Sequence, residues 1–166
     1  MIRKLIFTLK ERGVINADHQ MALFFAARYL WVEQWVRPRR ARGLNIVSDR
    51  SFPATAAYQG YAEGGNLTVV ERMAEVIFEG CKPDAVLLFD ASSEETMKRL
   101  RAAGRTEVDP FDRQGIEYFE RVIWGYRDMA ARQWGGMDWY VINADLDVSS
   151  VSRQVVRCLN HIFDIK

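Results

Sequence analysis

Cysteine is scarce in this chain: only Cys81 and Cys158 occur, far apart and outside any CxxC pair. The two histidines, His19 and His161, complete no zinc-ligand spacing with them. A disulfide scaffold and a structural zinc domain are thereby excluded, and a reduced, cytoplasmic protein is expected. Long hydrophobic runs are also missing. The longest apolar stretch, Met21 to Val36, is broken by Arg28, Glu33 and Gln34, so it cannot span a bilayer, and no signal-peptide pattern follows Met1. Charge of one sign is not in excess either. With 23 Lys and Arg against 22 Asp and Glu, the net charge of +1 creates no global field to draw nucleic acid or an acidic membrane surface. Any anion site has to be local, and neither a nucleic-acid nor a membrane partner is expected. Internal repeats, low-complexity segments and linkers are absent as well, so the 166 residues read as one domain, 1–166.

What is present is an alternation of helical and strand-like periods. Ile2, Leu5, Ile6 and Leu9 recur at helical spacing in residues 2–12, ending at Gly13. From Asp18, read as an N-cap, residues Met21 through Arg39 are apolar on nearly every side, which predicts a helix buried between other elements. Leu44 to Ser48 is a short β-prone run, followed by helix from Ala54 to Glu79 with a turn region at Gly60 to Asn66. Ala85 to Phe89 reads as a buried parallel strand, and Ser92 with Glu95 as a capping box opening a helix to about Gly104. A polar loop over 104–112 precedes helical spacing from Gln114 to Trp134. Trp139 to Ile142 is a third strand, and Val151, Val155, Val156, Leu159 and Ile162 share one face of a last helix. This order predicts an α/β fold, a parallel β-sheet with helices on both faces. Three strands are few for helices this apolar, which suggests an incomplete sheet.

Asp49 and Arg50 stand at the carboxyl end of the run Leu44 to Ser48, where open parallel sheets place ligands. Taken alone they also suit a helix N-cap and a surface cation. Phe24 and Arg28 are one helical turn apart and share a face, which fits either a joint site or a core ring beside a snorkelling arginine.

The stretch Asp49-Arg-Ser-Phe-Pro-Ala-Thr-Ala-Ala-Tyr-Gln-Gly60 resembles the Asp-Arg-aromatic…Ala-Tyr-Gln-Gly motif of thymidylate kinases. Phe24-Phe-Ala-Ala-Arg28 is similar to the family's Phe-x-Ala-Ala-Arg helix, at a similar distance from the first motif. The resemblance implies a P-loop nucleotide kinase fold and the transfer of a phosphoryl group from ATP, with Mg²⁺, to dTMP in dTTP biosynthesis. It implies that Phe24 stacks on thymine and Arg28 bonds its carbonyl edge, roles for which an aromatic face and a donor-only guanidinium are suited. It further implies that Arg50 clamps the dTMP phosphate, that Asp49 lies near the phosphates and magnesium, and that Tyr58 stands beside the deoxyribose. Gln59 completes the motif. Ser51 departs from the family's usual Tyr, His or Phe, and Thr55 occupies a position that in some members is a polar contact to the base.

Residues Met97 to Arg105, Asp109 to Asp112 and Phe119 to Tyr126 resemble the family's lid, about 101–112, and the helix after it. On that resemblance Arg101 and Arg105 close over the transferring phosphoryl group; the bland alternative is a solvated charged face. The donor site is not represented. Gly, four residues, Gly-Lys and then Ser or Thr occurs nowhere in residues 1–166, and Ile2-Arg-Lys-Leu5 resembles the helix after the family's Arg-Glu-Pro-Gly-Gly stretch. The expectation is therefore an N-terminally truncated dTMP kinase carrying the acceptor half and inactive alone. A piece of a split kinase, a non-catalytic nucleotide-binding module and a deoxynucleoside kinase are the alternatives. A homodimer is implied by the resemblance.

Overall fold

The structure is a computed structural model that describes residues 2–102 and 115–164, with only the backbone at 100 and 101. Its contacts divide the chain into two compact units, Met1–Lys82 and Pro83–Lys166.

The first unit is helical. Helix α1 (Ile2–Glu11) buries Ile6 from its apolar stripe and is closed by Gly13, whose φ of +66° permits Val14 N to bond Leu9 O at 3.0 Å. The cap of helix α2 (Ala17–Trp31) is Asn16, two residues before the expected Asp18. Asn16 Oδ1 accepts from His19 N at 3.0 Å while Asn16 N donates to His19 Nδ1 at 3.3 Å, a reciprocal capping box. Asp18 does something else: its carboxylate accepts from Asn66 N at 3.0 Å, tying the first turn of α2 to the residue that caps α5 (Leu67–Ile77).

Beyond Trp31 the helix widens into a π-helical segment, Val32–Val36, and resumes as α3 (Arg37–Arg40). The widening immediately precedes Pro38, whose missing N–H and bulky ring disrupt a regular α-ladder. Burial is one-sided rather than all round. Met21, Phe25, Val32 and Val36 are buried, whereas Tyr29, Leu30 and Trp35 are about half exposed. Arg37 secures the return of the chain by donating to Glu33 Oε1 at 2.6 Å and to Glu79 O at 2.8 Å, and Arg40 donates to Gly80 O at 3.1 Å.

Leu44 to Ser48 is not a strand. A β-prone run becomes one only where a neighbour supplies ladder bonds, and no described strand pairs with it; Val47 is 90% exposed. Helix α4 (Phe52–Thr55) follows, opened by Ser51 rather than Asp49, and runs into a second π-helical segment, Ala56–Ala62. Nearly all of 52–60 is buried, with the Phe52 ring 5.1 Å from Phe78. The turn after it is clamped by charge: Lys10 Nζ lies 2.6 Å from Glu63 Oε1, and Gln20 Nε2 donates to Glu63 Oε2 at 2.9 Å.

The second unit holds the sheet. Strands β1 (Ala85–Asp90) and β2 (Asp138–Asn143) pair in parallel from Ala85↔Asp138 to Asp90↔Asn143. Helices α7 (Ile116–Ala131) and α8 (Val148–Ile162) pack on both strands, around Leu88, Met129, Trp139 and Ile142. Trp139 Nε1 satisfies its burial by donating to Trp134 O at 3.0 Å. Helix α6 (Ser93–Ala102) is capped as expected by Ser92 Oγ, which accepts from Glu95 N at 3.2 Å. The reciprocal half of that box is not made. The Glu95 carboxylate instead takes bonds from Lys98 and Arg99, which hold its pKa below the ordinary glutamate value. Where β1 ends, Arg127 Nε meets both carboxylate oxygens of Asp90 at 2.9 and 3.0 Å.

Candidate functional site

Two helices and the loop between them build the site in the first unit. Helix α2 presents Phe24 and Arg28 one turn apart, with the Arg28 guanidinium 5.7 Å from the Phe24 ring and equally far from Phe25. Both Phe24 and Arg28 are half-buried. Arg28 reaches beyond its own helix: Nη2 donates to Ser51 O at 3.0 Å. That single bond brings the loop carrying Asp49 and Arg50 against the Phe24–Arg28 face.

Asp49 and Arg50 are both exposed. Arg50 has a φ of +70°, in the left-handed region that L residues other than Asn, Asp and Gly rarely occupy. Its carbonyl accepts from Ser48 Oγ at 2.7 Å, and its guanidinium lies 5.3 Å from the Tyr58 ring, a cation–π contact. Tyr58 is half-buried, on the π-helical segment that also carries Gln59. Segments of this kind occur frequently at functional sites because the extra residue per turn re-aims side chains.

Two hydroxyls complete the arrangement. Thr55 is 1% exposed, and neither its Oγ1 nor the buried Ser51 Oγ has a hydrogen-bond partner among the described residues. Buried polar atoms are normally paired, so these two hydroxyls, one of them on the residue whose carbonyl Arg28 bonds, have hydrogen-bonding capacity left over. Gln59 is 2% exposed, and its backbone carbonyl accepts from Gly65 N at 2.9 Å.

Phe24, Arg28, Arg50 and Tyr58, picked from the sequence as two separate motifs, are thus linked through Ser51 and Ser48. The linking bonds carried no signal in the sequence, because Arg28 and Ser51 are 23 residues apart and any of several backbone carbonyls could have served. Arg105 lies outside the described residues, together with the rest of 103–114, and of Arg101 only the helical backbone is described. Among the described residues no cluster of three or more His, Cys, Asp or Glu side chains is arranged to hold a metal ion. No described helix is long and apolar enough to cross a membrane.

With this geometry in place, the comparisons with known proteins are informative. The family model for thymidylate kinase matches residues 1–155. The thymidylate kinase of Pseudomonas putida (strain F1) is 34% identical over 98% of this chain and 75% of its own length. That of Mycoplasma capricolum is 27% identical over 95% of this chain and 73% of its own length. That of Hahella chejuensis is 33% identical over 78% of this chain and 61% of its own length. Among solved structures, deoxyadenosine kinase from M. mycoides with bound dCTP aligns at a TM-score of 0.67 over 96% of this chain and 79% of that one. At 17% identity that likeness speaks to the fold alone, an α/β kinase fold with a parallel sheet.

Proposed function

Because this chain belongs to the thymidylate kinase family, we propose that its first unit is the acceptor half of a dTMP kinase. Arg50 takes the 5′-phosphate, Phe24 stacks on thymine, Arg28 bonds the base's carbonyl edge, and Tyr58 walls the deoxyribose. Thr55 and Gln59 line the buried side. The observation that supports this most is the Arg28–Ser51 bond, which gathers the members of both motifs into one cluster. A guanidinium over an aromatic ring on an exposed loop offers a planar fork that matches a phosphomonoester. The hydroxyls of Ser51 and Thr55, which have no partner among the described residues, supply the polar contacts that a base requires in a buried setting.

The reaction assigned by the family reading is transfer of the ATP γ-phosphoryl group to dTMP with Mg²⁺. The residues present do not fit that donor. Residues 1–166 hold no phosphate-cradling Gly-rich loop with its lysine, and the described acids do not converge on a cation position. No step through ATP or magnesium is therefore assigned to Asp49, Arg101 or Arg105. What Phe24, Arg28, Arg50 and Tyr58 do in this reading is bind and orient the acceptor, and positioning supplies a large share of phosphoryl-transfer catalysis.

Calorimetric titration of dTMP into the chain tests the reading. Arg50→Ala should weaken binding about ten- to a hundredfold, the usual loss for a charged hydrogen bond of about 1.5–3 kcal/mol. Phe24→Ala should remove a stacking contact of about 1–3 kcal/mol. Unchanged affinity in both variants overturns the site assignment, and equal affinity for thymidine and dTMP would favour a nucleoside rather than a nucleotide kinase. The proposal extends to a cytoplasmic homodimer, supported by the half-exposed Tyr29, Leu30 and Trp35 and by two free cysteines. Sedimentation of the chain as a monomer at micromolar concentration would remove the dimer from it.

A further inference from the structure

We infer that Ser48 is a positioning residue for the phosphate-binding arginine, acting through the backbone of Arg50 rather than by touching a ligand. The inference rests on the reading of Arg50 as the phosphate contact. Between Ser48 and the start of α4 the chain has no helix or strand bonds to set its course. Apart from Ala54 N, which donates to Ser51 O at 3.1 Å from the first turn of α4, the bonds that orient the peptide groups there come from side chains. Ser48 Oγ donates to Arg50 O at 2.7 Å, and Arg28 Nη2 donates to the next carbonyl, Ser51 O, at 3.0 Å. Two successive carbonyls are thus held from different directions.

The held residue is the one whose backbone needs holding. Arg50 has a φ of +70°, a conformation in which an L side chain crowds its own carbonyl, and such a residue persists only when its surroundings over-determine it. Left unheld, Arg50 would relax to a negative φ. The Cα–Cβ direction would then change, and the guanidinium would leave its station 5.3 Å from the Tyr58 ring. The hydroxyl of Ser48 therefore acts on binding only through where Arg50 points. Arg28 is already committed to the base by the proposed reading, so Ser48 is the member of the pair whose effect can be isolated. It is exposed and contributes no buried apolar surface, so its replacement leaves the core intact.

The inference is tested by a mutant cycle on the full 166-residue chain, with dTMP and thymidine as the two titrants. Ser48→Ala should weaken dTMP binding about two- to tenfold, the range set by one neutral hydrogen bond, and leave thymidine binding unchanged because thymidine has no phosphate for Arg50. Ser48→Thr, which keeps the hydroxyl, should retain wild-type affinity. In an Arg50→Ala background, adding Ser48→Ala should have no further effect on dTMP. If Arg50→Ala weakens dTMP binding while Ser48→Ala does not, the positioning role is wrong and the site reading stands. The positioning role is equally wrong if Ser48→Ala weakens thymidine as much as dTMP, or if its effect persists without the Arg50 side chain. If Arg50→Ala leaves dTMP affinity unchanged, or the chain binds no dTMP, the site reading falls and the role of Ser48 falls with it.

Discussion

Gly65→Ala should destabilise the first unit by about 1–3 kcal/mol, more than Gly60→Ala, even though the bare distances give the opposite order. A Cβ on Gly65 would lie 2.4 Å from Met21 Cε, 2.8 Å from Gln59 O and 3.1 Å from Ala17 Cβ. Gln59 O is backbone, and it already accepts the Gly65 N–H at 2.9 Å, so it cannot move aside without loosening its own bond. Met21 is fully buried and has little room to rotate. Overpacking of this kind costs about 1–3 kcal/mol, a strained hydrogen bond up to about 1 more, and the reduced freedom of the unfolded chain returns about 0.4–1. At Gly60 the new Cβ would meet Leu67 Cδ2 at 2.3 Å, but that is the tip of a half-buried side chain that can rotate away. There the helical preference for Ala over Gly, about 1 kcal/mol, offsets most of the repacking. Thermal unfolding by circular dichroism should show Gly65→Ala lowered by about 2–10 °C and Gly60→Ala within about 3 °C of wild type. A Gly60→Ala loss equal to or larger than that of Gly65→Ala would refute the distinction between a backbone and a side-chain obstacle.

Phe52→Ala, which empties a ring 1% exposed and in contact with Phe78, should cost about 3–5 kcal/mol in urea unfolding; a loss below about 1 would mean that the site collapses freely. Asp147, the N-cap of α8, is held well below the ordinary aspartate pKa by the hydroxyls of Ser149 and Ser150, each at 2.6 Å, and by Ser150 N. A depressed folded-state pKa stabilises above the unfolded value of 3.8 and is lost as pH falls below it, so Asp147→Asn should be less stable than wild type at pH 7, with the gap narrowing at pH 3. A gap that does not change with pH would show that the carboxylate charge is immaterial to the cap. The chain supplied with ATP, Mg²⁺ and dTMP should release no ADP above background in a coupled assay, since residues 1–166 lack the phosphate-cradling loop; turnover would show a donor site of another kind.

The elements that depend on local pattern were legible in advance. The period of Ile2, Leu5, Ile6 and Leu9 with Gly13 after it located α1, because a hydrophobic stripe and a left-handed glycine act within a dozen residues. The runs at Ala85 and Trp139 located both strands to within a residue, since each is apolar enough to demand a neighbour and found one. Phe24, Arg28, Arg50 and Tyr58 were identifiable as residue types at motif spacing. The rest turned on partners far away in the chain. Asp18 and Asn16 are both good caps, and the choice went to Asn16 because Asp18 is engaged with Asn66, forty-eight residues on. Leu44 to Ser48 has the composition of a strand and is not one, because strand identity belongs to a pair and no described strand supplies the second member. The widened turns at Val32–Val36 and Ala56–Ala62 have no period by which a sequence could announce them. Residue chemistry and short-range periodicity were therefore determined by the sequence itself. The cap competition, the unpaired run, the left-handed Arg50 and the bond from Arg28 to Ser51 were decided only in three dimensions, because each is settled by which distant backbone group happens to lie within about 3 Å of a side chain.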